Sequence, residues 1–179
     1  MPSTISTADD ALRRAIRDVP DFPKPGIIFK DITPLLADPQ LFRRATDALA
    51  APFRDDAITH VVAIESRGFI LGGPVAQALG AGFIPVRKPG KLPSRTQRVD
   101  YALEYGTDAL ELHADALDGD SRVLIVDDVL ATGGTARATV QLAESCGSRV
   151  VACAFLIELG FLGGIAALAG HRVHRVIGY

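Results

Sequence analysis

The residues with the clearest chemistry lie between positions 123 and 136. Four apolar residues, Val123, Leu124, Ile125 and Val126, run into two adjacent acids, Asp127 and Asp128. After Val129 and Leu130 the chain reads Ala131, Thr132, Gly133, Gly134, Thr135. A strand that passes through a glycine turn into a helix presents free backbone N–H groups and the positive end of the helix dipole to an anion. Gly133 and Gly134 allow close approach of a ligand because no Cβ intervenes, and Thr132 and Thr135 add hydroxyl donors. The result is a phosphate cradle. The two acids would repel the phosphate, so they must bind something polar or cationic beside it: a sugar diol, a metal ion or a developing positive charge. A solvated turn with a capping acid would be the plainer explanation. The joint occurrence of apolar run, paired acids and cradle argues against it. The chain has no G-x-x-x-x-G-K-[ST], G-x-G-x-x-G or G-x-S-x-G segment, so those phosphate, dinucleotide and nucleophile motifs do not apply.

Two further segments carry charge where a phosphate site would use it. Arg67 follows Glu65 and Ser66 at the end of the apolar run 60–64. Arg67 could form a surface ion pair, or its guanidinium could face a phosphate, which it matches in a bidentate way. Residues 87–98 hold Arg87, Lys88, Lys91, Arg95 and Arg98 with no acid among them. Pro89, Gly90 and Pro93 mark this stretch as a loop. A basic loop beside a phosphate site predicts a lid closing over a polyanion, while Arg95 and Arg98 read as a solvated face.

These residues need a scaffold, and the pattern supplies one. The 179 residues, 48% hydrophobic and 22% charged, suit one globular domain. The net charge of -2 argues against a general nucleic-acid binder. The N-terminus has no signal-peptide character, and Cys146 and Cys153 read as reduced, buried thiols of a cytoplasmic protein. Residues 150–170 carry a single charge, Glu158. A membrane span is rejected there because a central acid costs about 3 kcal/mol on insertion and Gly160 breaks the run. A strand, a loop and a short helix fit better. A first helix is expected after Thr7, with Ala8, Leu12, Ala15 and Ile16 on its apolar face. Residues 19–26 read as a stiff proline-rich loop. Asp38 and Pro39 predict a capped helix carrying Leu41, Phe42, Ala45, Leu49 and Phe53. Strands are expected at 60–64, at 83–86 (edge or irregular, because of Pro85), at 122–126 and at 150–157, and a last strand near the C-terminus. Helices are expected at 69–79 and 135–144. Such alternation predicts an α/β fold with a mainly parallel sheet covered on both faces, and a ligand site at the carboxyl ends of its strands.

Residues 123–135 resemble the phosphoribosyl-diphosphate-binding signature of the type I phosphoribosyltransferases. Three other segments narrow the resemblance to the adenine phosphoribosyltransferase family: Phe22-Pro23-Lys24-Pro25-Gly26-Ile27-Ile28-Phe29-Lys30-Asp31-Ile32-Thr33-Pro34, Glu65-Ser66-Arg67-Gly68-Phe69, and Arg87-Lys88-Pro89-Gly90-Lys91-Leu92-Pro93 leading to Tyr101-Ala102-Leu103-Glu104-Tyr105-Gly106. The resemblance covers nearly the whole chain. It implies a single domain over 1–179, with a base-binding hood at about 1–35 and 158–170 and a lid loop at about 88–104. It implies transfer of the 5-phosphoribosyl group to adenine, with Mg²⁺ held mainly through the substrate, in a cytoplasmic homodimer. The 5'-phosphate falls to Ala131, Thr132, Gly133, Gly134 and Thr135, and the ribose to Asp127 and Asp128. The pyrophosphate falls to Ser66, Arg67, Arg87 and Lys91, with a non-proline cis peptide at or next to Ser66-Arg67. The adenine falls to Ile28, Phe29 and Lys30, and the catalytic carboxylate is Glu104, with Arg67 beside it in the catalytic set. Two alternatives stay open at this level: transfer to another purine base, and a non-catalytic regulator that senses phosphoribosyl diphosphate.

Overall fold

The computed structural model describes residues 7–102 and 107–179. In chain order the elements are α1 (Thr7–Arg14), β1 (Arg17–Pro20), β2 (Ile28–Asp31), α2 (Thr33–Ala37), α3 (Pro39–Ala50), β3 (His60–Ile64), α4 (Arg67–Leu79), β4 (Gly82–Val86), β5 (Thr96–Ala102), β6 (Thr107–His113), β7 (Arg122–Leu130), α5 (Gly134–Ser145), β8 (Arg149–Glu158) and β9 (Val173–Gly178), with short 3₁₀ turns at Ala51–Phe53, Gly160–Leu162 and Gly164–Leu168. The central sheet has the order β4-β3-β7-β8-β9, and every pairing in it is parallel. Helices cover both faces, as continuous apolar runs require.

Alternation along each strand divides the core. On β7, Leu124 and Val126 join α1, α3 and α4 through Leu12, Leu49, Leu71 and Val75. Val123 and Ile125 join α5 and the β5–β6 hairpin through Val140, Leu142, Leu110 and Leu112. On β8, Ala154 and Leu156 face the first layer, and Cys153 and Phe155 the second. Burying a large apolar side chain of this kind stabilises the fold by about 1.5–3 kcal/mol.

Caps and stops match their residue types. Asp38 accepts from the N–H groups of Gln40 at 2.8 Å and Leu41 at 3.0 Å, with Pro39 as the first helical residue. Gly80 ends α4. β4 is the sheet edge, which tolerates Pro85.

Four expectations are corrected. The stiff loop at 19–26 is narrower, because β1 runs through Val19 and Pro20 and pairs antiparallel with β2, Val19 opposite Phe29 and Pro20 opposite Ile28. A proline fits there because the ribbon has only two strands. α1 stops at Arg14, yet Ile16 beyond it still packs into the core. The strand expected at 122–126 continues to Leu130, so Asp127 and Asp128 lie on β7 rather than in a loop. There β8 keeps pairing, Asp127 opposite Phe155 and Leu130 opposite Glu158. Finally, β5 occupies much of the stretch expected to be lid loop, in a hairpin with β6. Val99 and Tyr101 of β5 pack against the second core layer. The short helix expected after Gly160 is present as 3₁₀ turns.

Candidate active site

The carboxyl ends of β3 and β7, the start of α5, strand β2 and the β5–β6 hairpin enclose a cavity of about 490 Å³. Its wall includes Ile28, Phe29 and Lys30 from β2, Ser66 and Arg67 from the turn into α4, Asp127 and Asp128 from β7, and Ala131 and Thr135. A smaller hollow of about 90 Å³ shares Asp127, Ala131 and Thr135 with it and adds Thr132, Gly133 and Gly134. Nearly every residue that the sequence assigned to a ligand is thus gathered at one end of the sheet. Arg87 and Lys91 converge on Glu65, which also lines the main cavity. Glu104 lies outside the described residues.

The cradle has a physical origin. Gly133 adopts φ +83°, a left-handed conformation that favours glycine, and α5 begins at the next residue. The loop also packs closely on the turn at Gly164–Leu168: a Cβ on Gly133 would lie 2.5 Å from the Gly164 carbonyl oxygen and 2.7 Å from Ala167 Cβ. A Cβ on Gly164 would in turn run into the Ala131 carbonyl oxygen.

The paired acids differ in environment. Asp128, 5% exposed, is ion-paired to the Nε of Arg67. Burial pushes the Asp127 carboxyl well above the ordinary carboxylate range, and the neighbouring charge of Asp128 adds to this. The Asp128 N–H, 2.9 Å from Asp127 Oδ1, and the Arg67 charge oppose the rise without cancelling it. Such a carboxyl is primed for hydroxyl donors or positive charge. Arg67 also lies over the Phe29 ring at 5.2 Å, which links the anion end of the cavity to β2. The peptide bond between Glu65 and Ser66 is cis, next to the bond the resemblance singled out.

Glu65, Lys88, Tyr101 and Leu159, to which the sequence alone assigned no ligand, also line the cavity. Lys88 is ion-paired with Asp108, and Tyr101 donates to the same carboxylate at 3.3 Å. Burial raises the Tyr101 phenol above its ordinary value. Glu65 carried a signal, an acid at the carboxyl end of an apolar strand. The others depend on the hairpin and on the end of β8, which no local motif announces.

Comparison with known proteins agrees with this geometry. The model of the phosphoribosyl transferase domain family matches residues 31–161. The chain is 58% identical over 170 residues to an adenine phosphoribosyltransferase of Methylococcus capsulatus, covering 95% of this chain and 99% of that one. A crystal structure of adenine phosphoribosyltransferase from Rhodothermus marinus superposes with a TM-score of 0.93 at 59% identity, covering 97% of this chain and 99% of that one. That of Saccharomyces cerevisiae, complexed with an imino-altritol 1,6-bisphosphate and adenine, gives 0.90 at 39% identity over 96% and 99%. A site assembled in this way, on a chain related over nearly its whole length to these enzymes, belongs to the phosphoribosyltransferase family, in its adenine phosphoribosyltransferase branch.

Proposed function

We infer that this chain transfers the 5-phosphoribosyl group from phosphoribosyl diphosphate to adenine, giving AMP and pyrophosphate in purine salvage. The observation that carries this reading is one cavity whose wall holds the paired acids, Arg67, Ala131 and Thr135 together with residues 28–30, and the rest of the cradle lines the hollow that shares Asp127, Ala131 and Thr135 with it. β2 belongs to a two-stranded ribbon, so its second edge has no strand partner among the described residues and offers backbone donors and acceptors. At Ile28 and Lys30 such an edge suits a planar base with an exocyclic amine.

The 5'-phosphate sits at residues 131–135, where α5 begins. Asp127 and Asp128 accept from the ribose hydroxyls and favour the positive charge that grows on the sugar. The bond from C1' to the diphosphate oxygen breaks, and its electron pair leaves with pyrophosphate. The base ring nitrogen forms the new bond to C1', and its proton passes to a carboxylate, the role that resemblance gives to Glu104. Ser66, Arg67, Arg87 and Lys91 bind the leaving group. Mg²⁺ bound with the diphosphate neutralises part of its charge, and Asp127 and Asp128 are the described acids suited to face it. Among the described residues no group of three or more His, Cys, Asp or Glu could hold a metal ion.

The hood at about 1–35 and 158–170, a lid within 88–104, a homodimer and a cytoplasmic location belong to the same proposal. Ile70 on α4 and Phe83 on the edge strand β4, 43% and 40% exposed, give a second copy apolar surface to cover. Both cysteines are free thiols, as a reducing compartment would keep them. No described helix is long and apolar enough to cross a membrane.

The function is tested by incubating the protein with phosphoribosyl diphosphate, Mg²⁺ and adenine. AMP and pyrophosphate should appear in equal amounts, and their absence would overturn the reading. Arg67→Ala should raise the KM for the diphosphate donor about 10- to 100-fold, the scale of a lost charge-assisted contact. A donor KM and kcat equal to wild type would remove Arg67 from that role. Glu104→Ala should lower kcat at least tenfold, as for loss of a general base, and unchanged turnover would exclude it.

A further inference from the structure

Glu65 has no role in the reaction as written, yet it occupies a demanding position. Its side chain is 8% exposed at the carboxyl end of β3. Its Oε2 accepts from Arg87 Nε at 2.8 Å, and its Oε1 accepts from Lys91 Nζ at 2.6 Å. The Lys88 backbone N–H also donates to it. Burial alone would raise this carboxyl, but the hydrogen bonds from Lys91 and Arg87 outweigh that and hold it below the ordinary range. The surrounding backbone fixes the arrangement: Glu65 N–H donates to the Val86 carbonyl at 3.0 Å, and Arg87 and Glu111 exchange backbone bonds of 2.9 and 2.7 Å. Arg87 Nη1 also donates to the Lys91 carbonyl at 3.3 Å. A nearly buried negative charge thus stands in the cavity wall beside Ser66 and Arg67, where the proposed reaction brings a diphosphate.

We propose that Glu65 is a positioning residue that stands in for the diphosphate, holding Arg87 and Lys91 in the unliganded protein and handing them over when the diphosphate binds. The proposal rests on the reading of this cavity as a diphosphate site. Carboxylate and phosphate oxygens satisfy the same guanidinium and ammonium donors, so the exchange needs no new kind of contact. The retained Glu65 charge then opposes the bound anion and weakens its hold. In this way Glu65 sets how readily pyrophosphate leaves, a step that limits turnover in many enzymes.

The test is calorimetric binding of inorganic pyrophosphate with Mg²⁺, together with steady-state kinetics. Glu65→Gln removes the charge and frees the two cations, so pyrophosphate should bind about tenfold tighter. The donor KM should fall, and kcat should fall with it. The affinity gain should shrink at high ionic strength. Glu65→Asp keeps the charge and should stay within about threefold of wild type. A purely structural role predicts the reverse, weaker binding and a higher KM, and that result or an unchanged affinity overturns the proposal. In wild-type protein the Arg87 Nε resonance should move on saturation with pyrophosphate. An unmoved resonance overturns the proposal even if Glu65→Gln fails to fold. If AMP forms and pyrophosphate binds wild type and Glu65→Gln alike, only this proposal fails. If neither protein binds pyrophosphate, the diphosphate site itself is wrong and the proposal falls with it.

Discussion

Asp127→Asn should lower kcat/KM about 100-fold or more and at the same time raise the melting temperature. Both effects follow from one environment. Burial and the charge of Asp128 push the Asp127 carboxyl upward, while Asp128 keeps its pairing with Arg67. In the unfolded chain Asp127 ionises at its ordinary value. Native stability therefore falls as pH rises from the ordinary carboxylate range through the raised native value, and the loss persists at neutral pH. Asparagine removes that loss. A gain of about 1 kcal/mol would lift the melting temperature by about 2–4 °C for a chain of this size, and the slope of stability against pH above the ordinary carboxylate range should flatten. Activity moves the other way, because the amide cannot match a carboxylate opposite a developing cation. Loss of one preorganised electrostatic group costs about 10²- to 10³-fold. A variant with kcat/KM within threefold of wild type would remove Asp127 from the transition state.

The second large effect is expected from a residue far from the cradle in sequence. Gly164→Ala places a methyl group against the Ala131 carbonyl, and backbone cannot yield as a flexible side chain does. The loop carrying Thr132 and Gly133 must shift. The donor KM should rise at least tenfold, with the KM for adenine within about threefold of wild type. Overpacking of this kind should also cost about 1–3 kcal/mol, readable as a lower urea midpoint. A donor KM equal to wild type would show that the turn at Gly164–Leu168 does not hold the cradle.

These cases show what was legible in the sequence. The cradle could be read because its residues are contiguous and each does one chemical job. The parallel sheet was legible because β3, β7 and β8 are continuous apolar runs. The β5–β6 hairpin was not, because its inward residues Val99 and Tyr101 alternate with Arg98 and Asp100, and Arg98 simply pairs with Asp100 in solvent. The extension of β7 through its two acids was equally hidden. Charged residues argue for a loop, and only pairing with β8 keeps them on the strand. The contact of Gly133 with Gly164 and the convergence of Arg87 and Lys91 on Glu65 join distant segments, so no local pattern announces them.

The central claim is the transfer of phosphoribose to adenine. Its most direct test is one reaction containing phosphoribosyl diphosphate, Mg²⁺ and equal amounts of adenine, hypoxanthine and guanine, with the nucleotide product identified. The account predicts AMP, with IMP and GMP at trace levels. IMP or GMP as the main product would keep the phosphate chemistry and contradict the assignment of residues 28–30 to adenine. No nucleotide, with the donor still bound, would contradict catalysis itself.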